Sequence, residues 1–352
     1  MSKINLCVIM GGMSTEHDVS LVSGTSVIEH LDKEKYNIFP IYIDNEGIWY
    51  KYIKPINEIK TINVGEKLDE IEKLDNVIEA LKQMDIVFPV LHGLYGEDGT
   101  IQGFLELLNV KYVGCKVLAS SVSMDKVYTK ALLEIAEIPQ AKYIYLKRKN
   151  KKYYYINNKF DEKEINEEKI CNLVEEKLGL PVFVKPSNSG SSVGINKSKN
   201  REQLIEHINY AAQFDNKILI EENINGREIE CAVMGTDEIK ASGIGEIISA
   251  DEFYSFDAKY IDKGSKTVFP TDIATEKVEE IRNLAIKVFK VVDGNGLARV
   301  DFFIRESDGK ILVNELNTMP GFTSISMYPK LWDKSGISYS KLLDILIRNE
   351  LD

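Results

Sequence analysis

The chain has little cysteine, proline or histidine, four, nine and four residues in 352, and no long uninterrupted apolar run. Cys7, Cys115, Cys171 and Cys231 stand far apart with no C-x-x-C spacing. That excludes a disulfide framework and a zinc ribbon, and leaves reduced, buried thiols as the expectation. No apolar stretch approaches the roughly 20 residues that span a bilayer. The opening INLCVIM is too short for a signal sequence and runs straight into Gly11-Gly12, so a cytoplasmic address is expected. Basic charge is also in deficit, 44 Lys plus Arg against 55 Asp plus Glu, for a net charge of -11. A field of that sign repels nucleic acid and anionic lipid, so neither is expected as a partner, and an anionic ligand needs a locally basic site. The G-x-x-x-x-G-K-[ST] and G-x-G-x-x-G spacings are both absent, which argues against a P-loop NTPase and a dinucleotide oxidoreductase alike.

What is present is ordinary globular composition, 44% hydrophobic and 28% charged, in a length that at roughly 150 residues per domain allows two or three domains. Residues 4–10 read as a buried strand ended by Gly11-Gly12, with a helix over 19–31 and a second strand over 38–43. A helix is expected around 70–84, a third buried strand at 85–91 and another helix at 100–108. Strands alternating with helices predict a doubly wound α/β domain with a parallel sheet, whose ligands gather at the strand carboxyl ends, where Gly11-Gly12 and His92-Gly93 fall. The Lys/Tyr-rich run 147–159 reads as a solvated hairpin or loop. From Pro181 the texture becomes α+β: strand PVFVKP, loop SNSGSSVG, a short strand, a helix over 201–214, then KILIEE and EIECAVMG joined by Asn225-Gly226, a hairpin signal.

Near the C-terminus GLARVDFFI (296–304) and KILVNELN (310–317) flank an Asp308-Gly309 turn. With Glu306 opposite Lys310, Asp301 faces Glu315 and Arg299 faces Asn317. Alternation then puts those four on one surface and Val300, Phe302, Leu312 and Leu316 on the other. Two facing carboxylates repel unless a cation lies between them, and oxygen-only ligands suit Mg²⁺. The alternative is a solvated charged sheet face.

Other residues allow two readings each. SNSGSSVG (187–194) after Lys185 is either a phosphate cover or a plain surface loop. Glu16 stands at the mouth of the first strand, where it can capture an ammonium or only add charge near a helix start. His92 is either structural or near a ligand. Glu221, Glu222 and Glu228 are strand-end acids, solvated or beside a ribose. The stretch 249–270, with Tyr254, Phe256, Lys259, Tyr260 and Phe269, reads as a lid.

Taken in order, GGMSTEHDVSLVSG, LHGLYGEDGTIQG, SMDK, VKPSNSGSSVG, EENINGREIE, FYSFDAKY, GLARVDF and NELNTMPGFTSISMYPKL resemble the D-alanine:D-alanine ligases of the ATP-grasp superfamily, over residues 4–350. The resemblance implies an α/β fold of three domains: 1–124 an N-terminal doubly wound parallel sheet, with 125–224 and 225–352 two α+β domains clamping ATP. It implies that Lys126 and Lys185 hold ATP phosphates, Glu221 and Glu222 lie by the adenine, Glu228 holds the ribose and Lys259 reaches the γ-phosphate. Asp301, Glu315 and Asn317 would bind two Mg²⁺ ions, with Mn²⁺ able to substitute. Glu16, held by Ser191 and Tyr260, would anchor the first substrate's ammonium near His92. Arg299 and the Gly321 N–H would hold the oxyanion, and Ser326 the second substrate's carboxylate. The implied partners are D-alanine and ATP, in a homodimer. The Lys259-Tyr260 pair implies an amine as second substrate, D-alanine or alternatively D-serine. A non-catalytic ATP-binding module would lack Arg299, Asp301, Glu315 or Lys259, and all four are present.

Overall fold

The computed structural model describes residues 3–190, 193–248, 266–323 and 325–351. Among them lie sixteen strands in three sheets and ten helices. The first sheet holds β1 (Ile4–Gly11), β2 (Tyr36–Ile43), β3 (Trp49–Tyr52), β4 (Ile71–Lys73) and β5 (Ile86–Pro89) in the order β4-β3-β2-β1-β5. β1 runs parallel to β2 and β5, as expected of a doubly wound sheet, but β3 and β4 add antiparallel at one edge. The cause is local: the Asp44 side chain accepts the Glu46 and Ile48 N–H groups, closing a turn too short for a parallel crossover. The helix expected around 70–84 shrinks to α2 (Val77–Lys82), because Ile71–Lys73 joins the sheet and the Asn76 side chain caps the helix by accepting the Glu79 N–H. α1 (His17–His30), α3 (Thr100–Leu107), α4 (Val117–Met124) and α5 (Lys126–Ile135) complete this half.

The second sheet, antiparallel throughout, contains β6 (Tyr143–Lys149), β7 (Lys152–Ile156), β8 (Glu162–Ile165), β9 (Val182–Pro186), β10 (Asn196–Ser198) and β11 (Lys217–Glu222), in the order β10-β9-β11-β6-β7-β8. α6 (Glu167–Lys177) and α7 (Arg201–Ala211) cover one face through Ile170, Val174, Leu204 and Ile208. The Lys/Tyr-rich run is the β6–β7 hairpin, turned at Asn150 and Lys151 with φ of 50° and 64°. Its lysines pair with Glu162 and Glu164, consistent with a solvated face.

β12 (Gly226–Gly235), β13 (Lys240–Ile248), β14 (Lys266–Val268), β15 (Gly296–Arg305) and β16 (Ile311–Asn317) form the third, antiparallel sheet in the order β14-β13-β12-β15-β16. α8 (Thr275–Val291) buries Ile281, Ala285, Val288 and Phe289 against it. α9 (Met327–Lys334) and α10 (Tyr339–Leu351) end the chain. α10 packs Leu342, Leu343, Leu346 and Ile347 into one apolar cluster with Val8, Ile28 and Phe88 of the first sheet and its helix and Met234 and Leu297 of the third. The C-terminal helix therefore locks the first and third sheets together, and Met319 and Phe322 belong to the same cluster. The four cysteines are buried free thiols, as expected. Among the described residues no helix is long and apolar enough to cross a membrane.

Asn225-Gly226 does not close a hairpin. β11 and β12 lie in different sheets, and Gly226 instead pairs with Arg305 of β15 while Glu306 N–H donates to the Asn225 carbonyl at 2.9 Å. A Cβ at Gly226 would stand 2.2 Å from the Ile304 carbonyl oxygen, so the glycine is there for close backbone approach. Gly226→Ala should therefore lower unfolding stability by about 1–3 kcal/mol, the range for an overpacked site. A urea midpoint equal to that of the parent chain would refute this reading.

Candidate active site

The second and third sheets turn alternating faces toward one cleft of about 1270 Å³, which the carboxyl end of the first sheet closes. β9 buries Val182, Val184 and Pro186 and aims Phe183 and Lys185 into the cleft; β12 buries Ile229 and Cys231 and lines it with Glu228 and Glu230. A period of two on each strand thus separates core from site. The cleft is lined by Glu16, His92, Lys126, Lys185, Glu221, Glu222 and Glu228, and by Arg299, Asp301, Glu315, Asn317, Gly321 and Ser326. Those are all the sequence-expected site residues that the structure describes. Ser191, Lys259 and Tyr260 lie outside the described residues.

On the β15–β16 hairpin, Asp301 pairs with Glu315 and Arg299 with Asn317, as read from the sequence. The turn itself is one residue out of the expected register, because Ile304 pairs with Ile311 and a bulge at Asn314 restores the register at Asp301. Leu312 consequently faces the other way from Leu316: Ile311 and Val313, not Leu312, join Val300, Phe302 and Leu316 in one apolar cluster, while Leu312 is buried on the opposite face. A bulge inserts one residue and so flips the alternation beyond it. Arg299 donates from Nε and Nη2 to the two Asp301 oxygens, each at 2.7 Å, and its Nε lies 3.2 Å from Glu230. Burial disfavours the Arg299 charge, but Asp301 and Glu230 more than offset it and keep the guanidinium charged. The Asn317 amide also donates to Asp301, at 3.0 Å. Two carboxylates and an amide oxygen on one sheet face form a hard-oxygen set that fits Mg²⁺. Among the described residues no three His, Cys, Asp or Glu side chains are grouped so that they could hold a metal ion by themselves.

The loop after β9 is tied down by Asp125. Its carboxylate caps α5 by accepting the Val127 and Tyr128 N–H groups, accepts the Ser187 hydroxyl at 2.5 Å and pairs with Lys217. Next to this cap Lys126 Nζ donates to the Ser189 carbonyl at 2.6 Å. Glu221 is buried between two ammonium groups, Lys130 at 2.6 Å on one oxygen and Lys185 at 2.5 Å on the other. Burial alone would raise its pKa, but the two lysines win and bring it down to about 2. Glu222 accepts the Lys142 N–H at 2.8 Å.

At the first sheet, Glu16 occupies the N-cap position of α1. Gly93 and Gly190 flank it so closely that a Cβ on either would stand 2.4 Å from its carboxylate oxygen. Two backbone segments, one after β5 and one after β9, thus form a cradle for one carboxylate. His92 is held on both ring nitrogens: Nδ1–H donates to the Met319 carbonyl at 2.9 Å, and Nε2 accepts the Ser23 hydroxyl at 2.8 Å. Burial, with the Glu16 charge opposing it, holds the ring below its ordinary pKa and neutral. Ser326 Oγ accepts the Thr323 N–H at 3.1 Å, and a Cβ at Gly321 would come within 2.9 Å of that hydroxyl.

Three cleft-related residues escaped the sequence reading. Glu97 accepts the Gly93 N–H at 2.8 Å and the Met319 N–H at 3.0 Å, fastening the first sheet's loop to the C-terminal motif. Glu230 shares Arg299, and its place two residues after Glu228 on one strand was the available signal. Lys130 stands one helical turn after Lys126, the only hint that it belongs here.

Residues 5–115 match the family description D-ala D-ala ligase N-terminus, and residues 132–348 match D-ala D-ala ligase C-terminus. The D-alanine–D-alanine ligase of Acetivibrio thermocellus is 47% identical, covering 98% of this chain and 95% of that protein. D-alanine–D-alanine ligase B of Clostridium tetani is 48% identical, covering 99% and 93%. Among solved structures, the VanG D-Ala:D-Ser ligase from Enterococcus faecalis gives a TM-score of 0.84 at 36% identity, over 99% of this chain and 100% of that one. The D-alanine–D-alanine ligase from Coxiella burnetii gives 0.82 at 34% identity, over 100% and 95%.

Burial, reinforced by the Glu16 charge, pushes the Glu97 carboxyl from its ordinary 4.5 up to about 8. Because the folded chain binds this proton more tightly than the unfolded chain, the group's share of stability is full below pH 4.5 and is lost as pH rises toward 8. Glu97→Gln, uncharged throughout, should show a flatter fall of the denaturation midpoint across that window. Identical slopes in the two proteins would mean that Glu97 is already ionised in the fold.

Proposed function

The chain belongs to the D-alanine–D-alanine ligase family, and from that premise we propose that it joins two D-alanines at the expense of ATP, through an acyl phosphate. The observation that carries this reading is the convergence, in one cleft, of the Glu16 carboxylate set between two glycine backbones, a lysine pair at Lys126 and Lys185, and a guanidinium at Arg299 beside an oxygen-ligand set. Passive nucleotide binding needs only the lysines. A reaction between two amino acids needs the rest.

In this reading Glu16 holds the first D-alanine by its ammonium and His92, neutral and fixed on both nitrogens, shapes that pocket. Lys126 and Lys185 bind the ATP phosphates, Glu221 and Glu222 border the adenine, and Glu228 accepts the ribose hydroxyls. The first carboxylate attacks the γ-phosphorus, the bond to ADP breaks, and an acyl phosphate forms. Two Mg²⁺ ions held by Asp301, Glu315 and Asn317, or Mn²⁺ in their place, would supply the charge that lets two anions approach. Ser326 holds the second D-alanine by its carboxylate, and its free amine attacks the acyl carbonyl. Arg299 has five N–H donors, so it can keep Asp301 and still donate, with the Gly321 N–H, to the tetrahedral oxyanion. Inorganic phosphate leaves, a proton is lost from the amine, and D-alanyl-D-alanine remains for peptidoglycan precursor synthesis, a cytoplasmic step. The structural likeness to a D-Ala:D-Ser ligase supports D-serine as the second reading for the second substrate.

The deciding assay measures phosphate release from MgATP with D-alanine, L-alanine, D-serine or D-lactate and identifies products by mass. Release with D-alanine alone, yielding the D,D-dipeptide, is expected; a D-alanyl-D-serine product would move the assignment to the second reading, and no release with any D-amino acid would overturn both. Outer-shell changes at metal sites cost about 10- to 100-fold, so Glu315→Gln should lower Mg²⁺-dependent turnover by more than about 100-fold with its circular dichroism unchanged. Parent-level turnover in that variant would refute the metal assignment.

A further inference from the structure

The ammonium–carboxylate cluster under the cleft holds one cation more than its carboxylate needs. Glu221 pairs with Lys185 through one oxygen and with Lys130 through the other, and the three side chains are 5%, 15% and 4% exposed. Lys185 and Glu221 line the cleft, whereas Lys130 does not. It projects from α5 behind Glu221, its Nζ 5.4 Å over the Tyr143 ring and near the Ala141 carbonyl at 3.4 Å. Lys130 is therefore placed to act on the carboxylate and not on a ligand.

If Lys185 and Glu221 were alone, they would form a closed buried pair. Drawing Lys185 onto a phosphate would then strand a buried carboxylate without a counter-charge, the costly way to break such a pair. With Lys130 on the second oxygen, Glu221 stays paired when Lys185 leaves. We propose that Lys130 is a positioning residue that balances Glu221 so that Lys185 is free to move to the nucleotide phosphates. This rests on the reading that Lys185 is a phosphate ligand. It assigns to Lys130 no contact with the nucleotide.

The test is calorimetric binding of MgATP, without D-alanine, to the full chain, with adenosine measured by competition as the ligand that makes no call on Lys185. Lys130→Met should weaken MgATP about tenfold, a typical coupling for charges in one network, and leave adenosine unchanged. Lys130→Arg, which keeps the charge, should restore MgATP to within about threefold of the parent. In a Glu221→Gln background there is no carboxylate to balance, so adding Lys130→Met should leave MgATP affinity where Glu221→Gln alone put it. An unchanged MgATP affinity in folded Lys130→Met, an equal loss for adenosine, or a loss that persists beside Glu221→Gln would each overturn the proposal. Should Lys130→Met alone fail to fold, the Glu221→Gln pair still decides: equal affinities support the proposal and unequal ones sink it. A parent chain that does not bind MgATP at all would overturn the nucleotide reading itself, and this inference with it.

Discussion

Buried charge has to be paired, and that constraint organises the whole cleft. An unpaired ion in a low-dielectric site costs several kcal/mol even after relaxation, so a cleft that gathers Glu16, Glu97, Glu221, Glu228, Glu230, Asp301 and Glu315 can exist only with partners built into the fold. Some partners are cations: Lys130 and Lys185 on Glu221, and Arg299 on Asp301 and Glu230. Glu97 meets the constraint another way: burial and the Glu16 charge raise its carboxyl to about 8, so it stays protonated at neutral pH while accepting two backbone N–H groups. Lys130 reaches Glu221 from α5 and Lys185 reaches it from β9, while Arg299 on β15 reaches Glu230 on β12, so the charges tie neighbouring elements together as well as lining a site for a ligand.

Packing supplies the rigidity that such pairs need. An ion pair held to within a few tenths of an ångström is useful only if its backbones do not drift. The apolar cluster that unites the first sheet, the third sheet and α10 runs up to Met319 and Phe322, whose backbone groups receive His92 and donate to Glu97 and Ser23. The loop carrying Gly321 is thereby fixed from the core side, and the ligand side is left to the chemistry. Asp125 does the same for the loop of Ser187 and Ser189, by serving at once as helix cap, hydroxyl acceptor and ion-pair partner.

Most of this was legible in the sequence wherever a period of two carried it. The Arg299, Asp301, Glu315 and Asn317 surface follows from alternation on two strands, and the register at Asp301 came out as read although the turn did not. The Asn314 bulge compensated a one-residue error nearer the tip, and it misplaced Leu312. A bulge leaves no mark in composition. The false hairpin at Asn225-Gly226 failed for a related reason: Asn-Gly signals a tight local geometry, and here the glycine serves close approach to Ile304 on another strand. The edge ribbon β3–β4 was missed because the Asp44 turn that makes it antiparallel is short and polar like any loop. Lys130, Glu97 and Glu230 were missed because their importance lies in what faces them, and partners distant in sequence are invisible without the fold.

The two buried triads of the cleft are electrostatic mirror images. At Glu221 one anion sits between two cations, Lys130 and Lys185; at Arg299 one cation sits between two anions, Glu230 and Asp301. In each, the inner charge has two partners, and one of the two belongs to the group expected to meet ATP or its metal. A triad of this form tolerates the loss of one partner, because the inner charge remains paired through the other, whereas a simple buried pair does not. The same arrangement thus settles two problems at once: it keeps the empty cleft stable, and it leaves charge available when the ligand arrives.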